Sequence, residues 1–148
     1  MSKLKLYIAG AGAEAAKVKV LADAVQRAGA EITVEWWKPM LDSSTPHDRD
    51  LNDVDAECFA ESDLEGLRRA DVLWLVVPVE KVGAGCYFET GYLAGAVEFW
   101  PYKRPTIIAS GDWRRSIFLR STKRVDHRFA EHEDAIWWIR ARLAEAVP

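Results

Sequence analysis

The chain has 148 residues, the length of one domain, and its 49% hydrophobic and 29% charged content excludes a disordered protein. A net charge of -3 at pH 7 argues against duplex nucleic acid or an anionic membrane as a partner. No apolar run approaches the roughly 18 residues that cross a bilayer. The first residues, Met1–Lys5, lack a signal-peptide pattern. The two cysteines do not suggest disulfide bonds, and the three histidines are too scattered to suggest a metal site. We therefore expect a cytoplasmic protein that binds no metal.

Strand-like and helix-like segments alternate along the chain, as judged from apolar spacing and from glycine and proline breaks. In chain order, the sequence predicts a strand at Lys3–Ala9, a helix from Val18 to Ala28, a strand at Ile32–Trp37, a loop at Lys38–Asp50, a helix ending near Ala70, a strand at Asp71–Val77, a loop at Pro78–Gly85, a helix at Cys86–Ala96, a strand at Thr106–Ala109 and a C-terminal helix marked by Ile136, Ile139 and Leu143.

This alternation predicts an α/β fold with a doubly wound parallel sheet. We expect one flavodoxin-like or Rossmann-like domain over residues 1–148, with about five strands. Such sheets bind ligands at the carboxyl ends of their strands. The loops after Ala9, Trp37 and Val77 are therefore the candidate ligand-binding loops.

The first glycine turn, Gly10-Ala11-Gly12-Ala13-Glu14-Ala15, fits a dinucleotide fingerprint, and Glu31 or Glu35 could bind the ribose. The same glycine pair also suits any site in which a ligand approaches the backbone. We expect Gly10 and Gly12 to bind substrate in this second way, with no organic cofactor. Of Trp36 and Trp37, one is expected to stack on a base, and we assign this role to Trp37. The alternative for both is burial in the core or at a subunit interface.

Two carboxylates are candidates for chemistry. Glu89 follows the glycine loop that includes Gly85 and falls in the first two turns of a helix, where the dipole favours an ionised carboxylate suited to nucleophilic attack. The alternative is a solvated surface glutamate. Asp63 shares a helical face with Phe59 and Leu67, so it is either functional or a partly exposed acid. Gly85 is expected to lie against the substrate.

Three segments together resemble the nucleoside 2-deoxyribosyltransferase family, which includes related nucleotide N-glycoside hydrolases. They are Leu6–Gly12, Ser62–Val72 and Gly85–Ala94. The resemblance covers most of the chain except residues 38–55 and 98–104. It implies cleavage of the N-glycosidic bond of a nucleoside or nucleotide through a covalent glycosyl-glutamate intermediate.

The resemblance also implies roles for individual residues. Glu89 matches the glutamate nucleophile, Asp63 the aspartate that handles the base and its proton, and Tyr7 a tyrosine that hydrogen-bonds the nucleophile. Family members are often homo-oligomers. Gly83 stands where many transferases carry an aspartate, which leaves the transferase activity open.

Hydrolysis and transfer differ in how the intermediate is resolved, by water or by a second nucleobase. The loop at Lys38–Asp50 is polar, and Gly83 removes a carboxylate that could hold an incoming base, so we expect hydrolysis over transfer. The alternatives from other classes are a non-catalytic nucleotide-binding or sensor module on the same fold, and a dinucleotide-dependent enzyme.

Overall fold

Five parallel strands form the central sheet in the order β2-β1-β3-β4-β5. The computed structural model describes residues 3–44, 50–80, 84–96 and 104–145. The strands are β1 (Lys5–Ala9), β2 (Glu31–Ile32), β3 (Val72–Val76), β4 (Thr106–Ser110) and β5 (His127–Phe129). The helices are α1 (Ala15–Arg27), α2 (Trp37–Leu41), α3 (Asp53–Arg69), α4 (Ala84–Ala96), α5 (Ile117–Ser121) and α6 (His132–Glu145). This is the flavodoxin-like strand order, so the predicted fold class is confirmed.

Side chains alternate between the two faces of the sheet along each strand, so each face presents apolar residues. Helices cover both faces. In β1, Leu6 and Ile8 belong to an apolar cluster that includes α1 and α6, whereas Tyr7 and Ala9 belong to the opposite cluster. Buried residues of α3, α4 and α5 lie in that second cluster, Leu67, Leu93 and Leu119 among them. The unbroken apolar run of β3 is buried throughout, as a central parallel strand requires. None of the described helices is long and apolar enough to cross a membrane.

The second strand is shorter than the sequence predicts. The expectation of a strand over Ile32–Trp37 is wrong after Ile32, because Trp37 begins α2 instead. Packing explains this departure: Trp37 is buried in the core, and the Trp36 indole donates a 2.7 Å hydrogen bond to the carbonyl of Ile8. Tertiary contacts of two tryptophans therefore override the local β preference.

Residues in the segments between strands and helices explain where two helices begin and where the chain turns. The Asn52 side chain caps α3 by accepting from the Asp55 amide at 2.9 Å, and Ser116 caps α5 by accepting from the Leu119 amide at 3.3 Å. Gly111 has φ of 101°, which allows the chain to turn sharply at the carboxyl end of β4. The loops after β1 and β3 leave the sheet at the carboxyl ends of those strands. The loop predicted at Lys38–Asp50 is wrong for its first residues, because α2 continues to Leu41.

Candidate functional site

A tyrosine and a glutamate that lie 82 positions apart in the sequence meet beside the sheet. The Tyr7 hydroxyl donates a 2.9 Å hydrogen bond to Oε1 of Glu89. Tyr7 lies in the middle of β1 with its ring fully buried, and Glu89 lies in the second turn of α4. Burial and the nearby carboxylates raise the pKa of Tyr7 well above its ordinary range, so its phenol stays neutral and donates.

Glu89 is mostly protonated at neutral pH in this environment. Burial raises its pKa from the ordinary 4.5 to about 8, the Tyr7 hydrogen bond opposes this rise, and the charge of Asp63 adds to it. The position at the start of α4 favours an ionised carboxylate, but the loss of hydration outweighs it. Burial, which no spacing pattern reports, therefore works against the ionised Glu89 that the sequence analysis expects.

Asp63 reaches the same place from α3. Its charge raises the pKa of both Tyr7 and Glu89, which puts the two carboxylates in one electrostatic neighbourhood. Gly66, one turn further along α3, makes this approach possible. A Cβ there would come within 3.3 Å of the Tyr7 ring and 2.2 Å of the Val34 side chain.

Gly66 is a site-shaping residue to which the sequence analysis assigns no role. Its signal in the sequence is a glycine inside a helix, which weakens the helix and therefore needs a packing reason. Tyr7, Asp63 and Glu89, the three residues expected to be catalytic, thus lie near one another. Gly66 allows α3 to pack closely against β1 at this place.

The loop after β3 is tied to the loop after β1. Glu14 accepts from the Val79 amide at 3.1 Å and pairs with Lys17 at 2.8 Å. The Arg115 guanidinium donates to the Val79 carbonyl. A cavity of about 490 Å³ opens next to this junction, lined by Glu80, Tyr87, Arg115 and Ser116. Its volume suits a small ligand. Tyr87 on its wall belongs to α4, whereas neither Glu89 nor Asp63 is among the described residues that line it.

The three glycines expected to bind substrate have different surroundings. A Cβ at Gly10 would come within 2.7 Å of the Val18 side chain, so Gly10 is required for packing of the turn against α1. A Cβ at Gly12 would make only an ordinary 3.7 Å contact with Met40, and Gly85 has open space around it. Gly85 therefore lies at an accessible position at the start of α4, whereas Gly10 serves the fold.

Trp37 does not face the site. It is 2% exposed and packs in the cluster on the α1 side of the sheet. This burial argues against base stacking by Trp37, because no face of its ring is open to a ligand. Trp36 is partly exposed, and its ring meets that of Trp37 edge to face at 5.8 Å. Gly83 and part of the expected 38–50 loop lie outside the described residues.

A second group of hydrogen-bonded polar side chains lies on the opposite face of the sheet. The Trp74 indole donates to the Ser110 hydroxyl at 2.8 Å, and Ser110 Oγ lies 2.7 Å from Nδ1 of His132. Ser110 is fully buried, which removes it as a nucleophile for a bound substrate. Burial and the charge of Lys17 lower the pKa of His132. Among the described residues, no group of three or more acidic, histidine or cysteine side chains is arranged to hold a metal.

Comparison with known proteins bears on the fold. The chain is similar to the crystal structure of a conserved protein from Enterococcus faecalis V583, with a TM-score of 0.61 and 15% sequence identity. The match covers 96% of this chain and 100% of the other. No family model matches the chain, and no curated protein matches it significantly. A likeness at this identity shows a shared architecture across the whole domain.

Proposed function

We propose that the protein cleaves the N-glycosidic bond of a nucleoside or nucleotide, with Glu89 as nucleophile. The observation that carries this proposal is the hydrogen bond of 2.9 Å from the buried Tyr7 hydroxyl to Glu89, with Asp63 close enough to raise the pKa of both. Two interacting carboxyl groups are what glycosyl transfer with a covalent intermediate requires.

In this mechanism the carboxyl groups of Glu89 and Asp63 share one proton. Movement of the Glu89 proton to Asp63 produces an ionised nucleophile and a protonated acid together. Glu89 then attacks the anomeric carbon, the bond from that carbon to the base nitrogen breaks, and the electron pair and the Asp63 proton leave with the base. Tyr7 holds the attacking carboxylate through its hydroxyl, and water finally releases the sugar and restores the proton.

The cavity lined by Tyr87, Arg115 and Ser116 supports a substrate with a polar substituent. Arg115 and Ser116 provide donors on its wall, and Tyr87 links it to the helix that carries Glu89. The edge is open to solvent at Glu80 and Arg115, both exposed, which favours water over a second base as acceptor. Hydrolysis is therefore the proposed outcome.

A non-catalytic nucleotide-binding module is the second candidate, and one observation favours it. Burial raises the pKa of Glu89 to about 8, which favours its protonated form at pH 7. A protonated glutamate is a hydrogen-bond donor suited to binding and a poor nucleophile.

Chromatographic detection of free base separates the two candidates. A panel of nucleosides and their 5′-monophosphates is incubated with the wild type and with Glu89→Ala, and Glu65→Ala on the exposed side of α3 serves as the matched control. Loss of the nucleophile is expected to slow base release roughly a thousandfold or more, while Glu65→Ala retains wild-type rates.

Each result assigns the protein to one class. Residual turnover above about a tenth of wild type in Glu89→Ala contradicts the nucleophile role. Nucleotide binding without any base release supports the module, and neither binding nor release rejects both candidates. Addition of a second base with a deoxynucleoside then measures free sugar against new nucleoside, and predominant new nucleoside contradicts hydrolysis.

A further inference from the structure

Phe59 lies one helical turn before Asp63 on α3. Residues four positions apart lie one above the other on the same face of a helix. Phe59 is 41% exposed, so a large part of its ring is open to solvent. A single exposed phenylalanine is ordinary on a protein surface. This one, however, stands beside a carboxylate whose charge acts on both Tyr7 and Glu89.

The direction of α3 places Phe59 nearer than Asp63 to the carboxyl edge of the sheet. α3 ends at Arg69, just before β3 begins, so its earlier turns lie toward the opposite, carboxyl edge. α4 begins at that edge, because it follows the end of β3. The two helices contact each other on one face of the sheet and run in the same direction. Sheets of this kind bind ligands at the carboxyl edge, so Phe59 lies on the ligand side of Asp63.

Side-chain interactions show how α3 and α4 are aligned. The charge of Asp63 acts on Glu89, and farther from the carboxyl edge the Arg68 guanidinium interacts with the Tyr92 side chain. The partners advance together along both helices, as two helices that run in the same direction require. The residue one turn before Asp63 therefore lies level with the residue one turn before Glu89.

Those two earlier positions are Phe59 and Gly85. Gly85 is exposed, and a Cβ added there would meet no atom within 4 Å. The exposed ring of Phe59 and the open position of Gly85 therefore lie on the two sides of the approach to Asp63 and Glu89 from the carboxyl edge. An apolar ring on one side and an unobstructed backbone on the other suit a flat group.

We propose that Phe59 stacks on the planar base of the substrate and determines its affinity. This inference rests on the proposed function, in which the anomeric carbon lies at Glu89 and the leaving base takes a proton from Asp63. A base that receives this proton lies against α3, where the ring one turn away is that of Phe59. Aromatic rings stack on any base through its π face. The tryptophans considered for this role are held elsewhere, since Trp37 is buried and Trp36 packs in both apolar clusters.

Ligand-observed NMR titration with free bases tests the stacking without turnover. Adenine and cytosine are the probes, because each has a π face and neither has a bond to cleave. At least one is expected to bind the wild type, and Phe59→Ala is expected to weaken that binding roughly tenfold to a hundredfold. Phe59→Trp should keep the wild-type affinity, whereas Phe59→Leu, which is apolar without a planar ring, should lose nearly as much as alanine.

The control is Trp137→Ala, which removes an aromatic ring of 68% exposure from α6 on the other face of the sheet. It is expected to leave base binding unchanged. Equal affinities of the wild type and Phe59→Ala, or full affinity in Phe59→Leu, overturn the inference. A wild type that binds neither base overturns it as well.

Steady-state kinetics of base release separates this inference from the proposed function. With the nucleosides that the wild type cleaves, Phe59→Ala is expected to raise KM by a similar factor and to change kcat less, because stacking is present before and during bond cleavage. A protein that binds bases through Phe59 and releases none contradicts the glycosidic activity and supports the stacking role. Base release with an unchanged KM in Phe59→Ala supports the activity and overturns the stacking role.

Discussion

Replacement of Glu89 by glutamine should change how the stability of the protein depends on pH. The folded protein holds a proton on Glu89 up to a pKa of about 8, whereas an ordinary glutamate loses it near 4.5. A carboxyl whose pKa is raised by folding contributes stability below its unfolded pKa, and this contribution is lost as pH rises toward the folded value. Glutamine has the shape of the protonated acid and no proton to lose, and its oxygen can still accept from Tyr7.

The size of the effect follows from the two pKa values. A difference between 4.5 and about 8 corresponds to a total loss of about 5 kcal/mol, complete above pH 8. Between pH 5 and pH 8 the wild type should lose about 3.5 kcal/mol relative to Glu89→Gln. For a chain of this size that is a relative fall in Tm of roughly 10 °C.

Urea unfolding of both proteins at each pH unit from 5 to 9 measures this difference. The quantity of interest is the free energy of unfolding of Glu89→Gln minus that of the wild type, which removes all groups that the two proteins share. Glu65→Gln on the exposed side of α3 is the matched control, since it makes the same substitution outside the buried site. If the Glu89→Gln difference is also flat from pH 5 to 8, the burial argument for Glu89 is refuted.

Four other substitutions follow from the same geometry. Asp63→Asn should slow base release about a hundredfold to ten-thousandfold for ordinary leaving groups and less for activated ones; its remaining activity should rise with pH, because residue 63 no longer takes the Glu89 proton and Glu89 must lose it to solvent. Tyr7→Phe should move the fall of kcat/KM at high pH to a pH above about 8, since the lost hydrogen bond had lowered the pKa of Glu89, and a fall that stays in place would contradict the shared proton. Gly66→Ala should cost about 1–3 kcal/mol of stability in urea unfolding, because its Cβ would come within 2.2 Å of a valine methyl. Gly85→Ala, with open space around it, should cost nothing or stabilise, and equal losses for the two glycines would contradict the packing role of Gly66.

The sheet could be predicted from the sequence because its signals are local. Leu6–Ala9 and Val72–Val77 are unbroken apolar runs, and Gly10 and Pro78 mark where they end. β5 and α5 were not predicted, because elements of three and five residues carry too little periodicity. The end of β2 was misplaced because Trp36 and Trp37 act through contacts with distant residues.

The candidate site was found from family resemblance more than from pattern. Nothing local relates Tyr7 to Glu89, and only the fold brings them within hydrogen-bonding distance. The protonation state of Glu89 was beyond the sequence, since it depends on burial by three elements. The link from Glu14 to the Val79 amide was missed for the same reason.

The hydrogen bond between Ser110 and His132 also determines which group donates and which accepts. Ser110 accepts from the Trp74 indole, and within the described residues the acceptor in reach of its own proton is Nδ1 of His132. His132 is then a neutral imidazole with its hydrogen on Nε2. If acid protonates Nδ1 of His132, both this nitrogen and the Trp74 indole donate to the Ser110 hydroxyl oxygen. The Ser110 hydroxyl hydrogen is then buried without an acceptor. Acid should therefore detach the first turn of α6 from β4 before it disturbs the centre of the sheet.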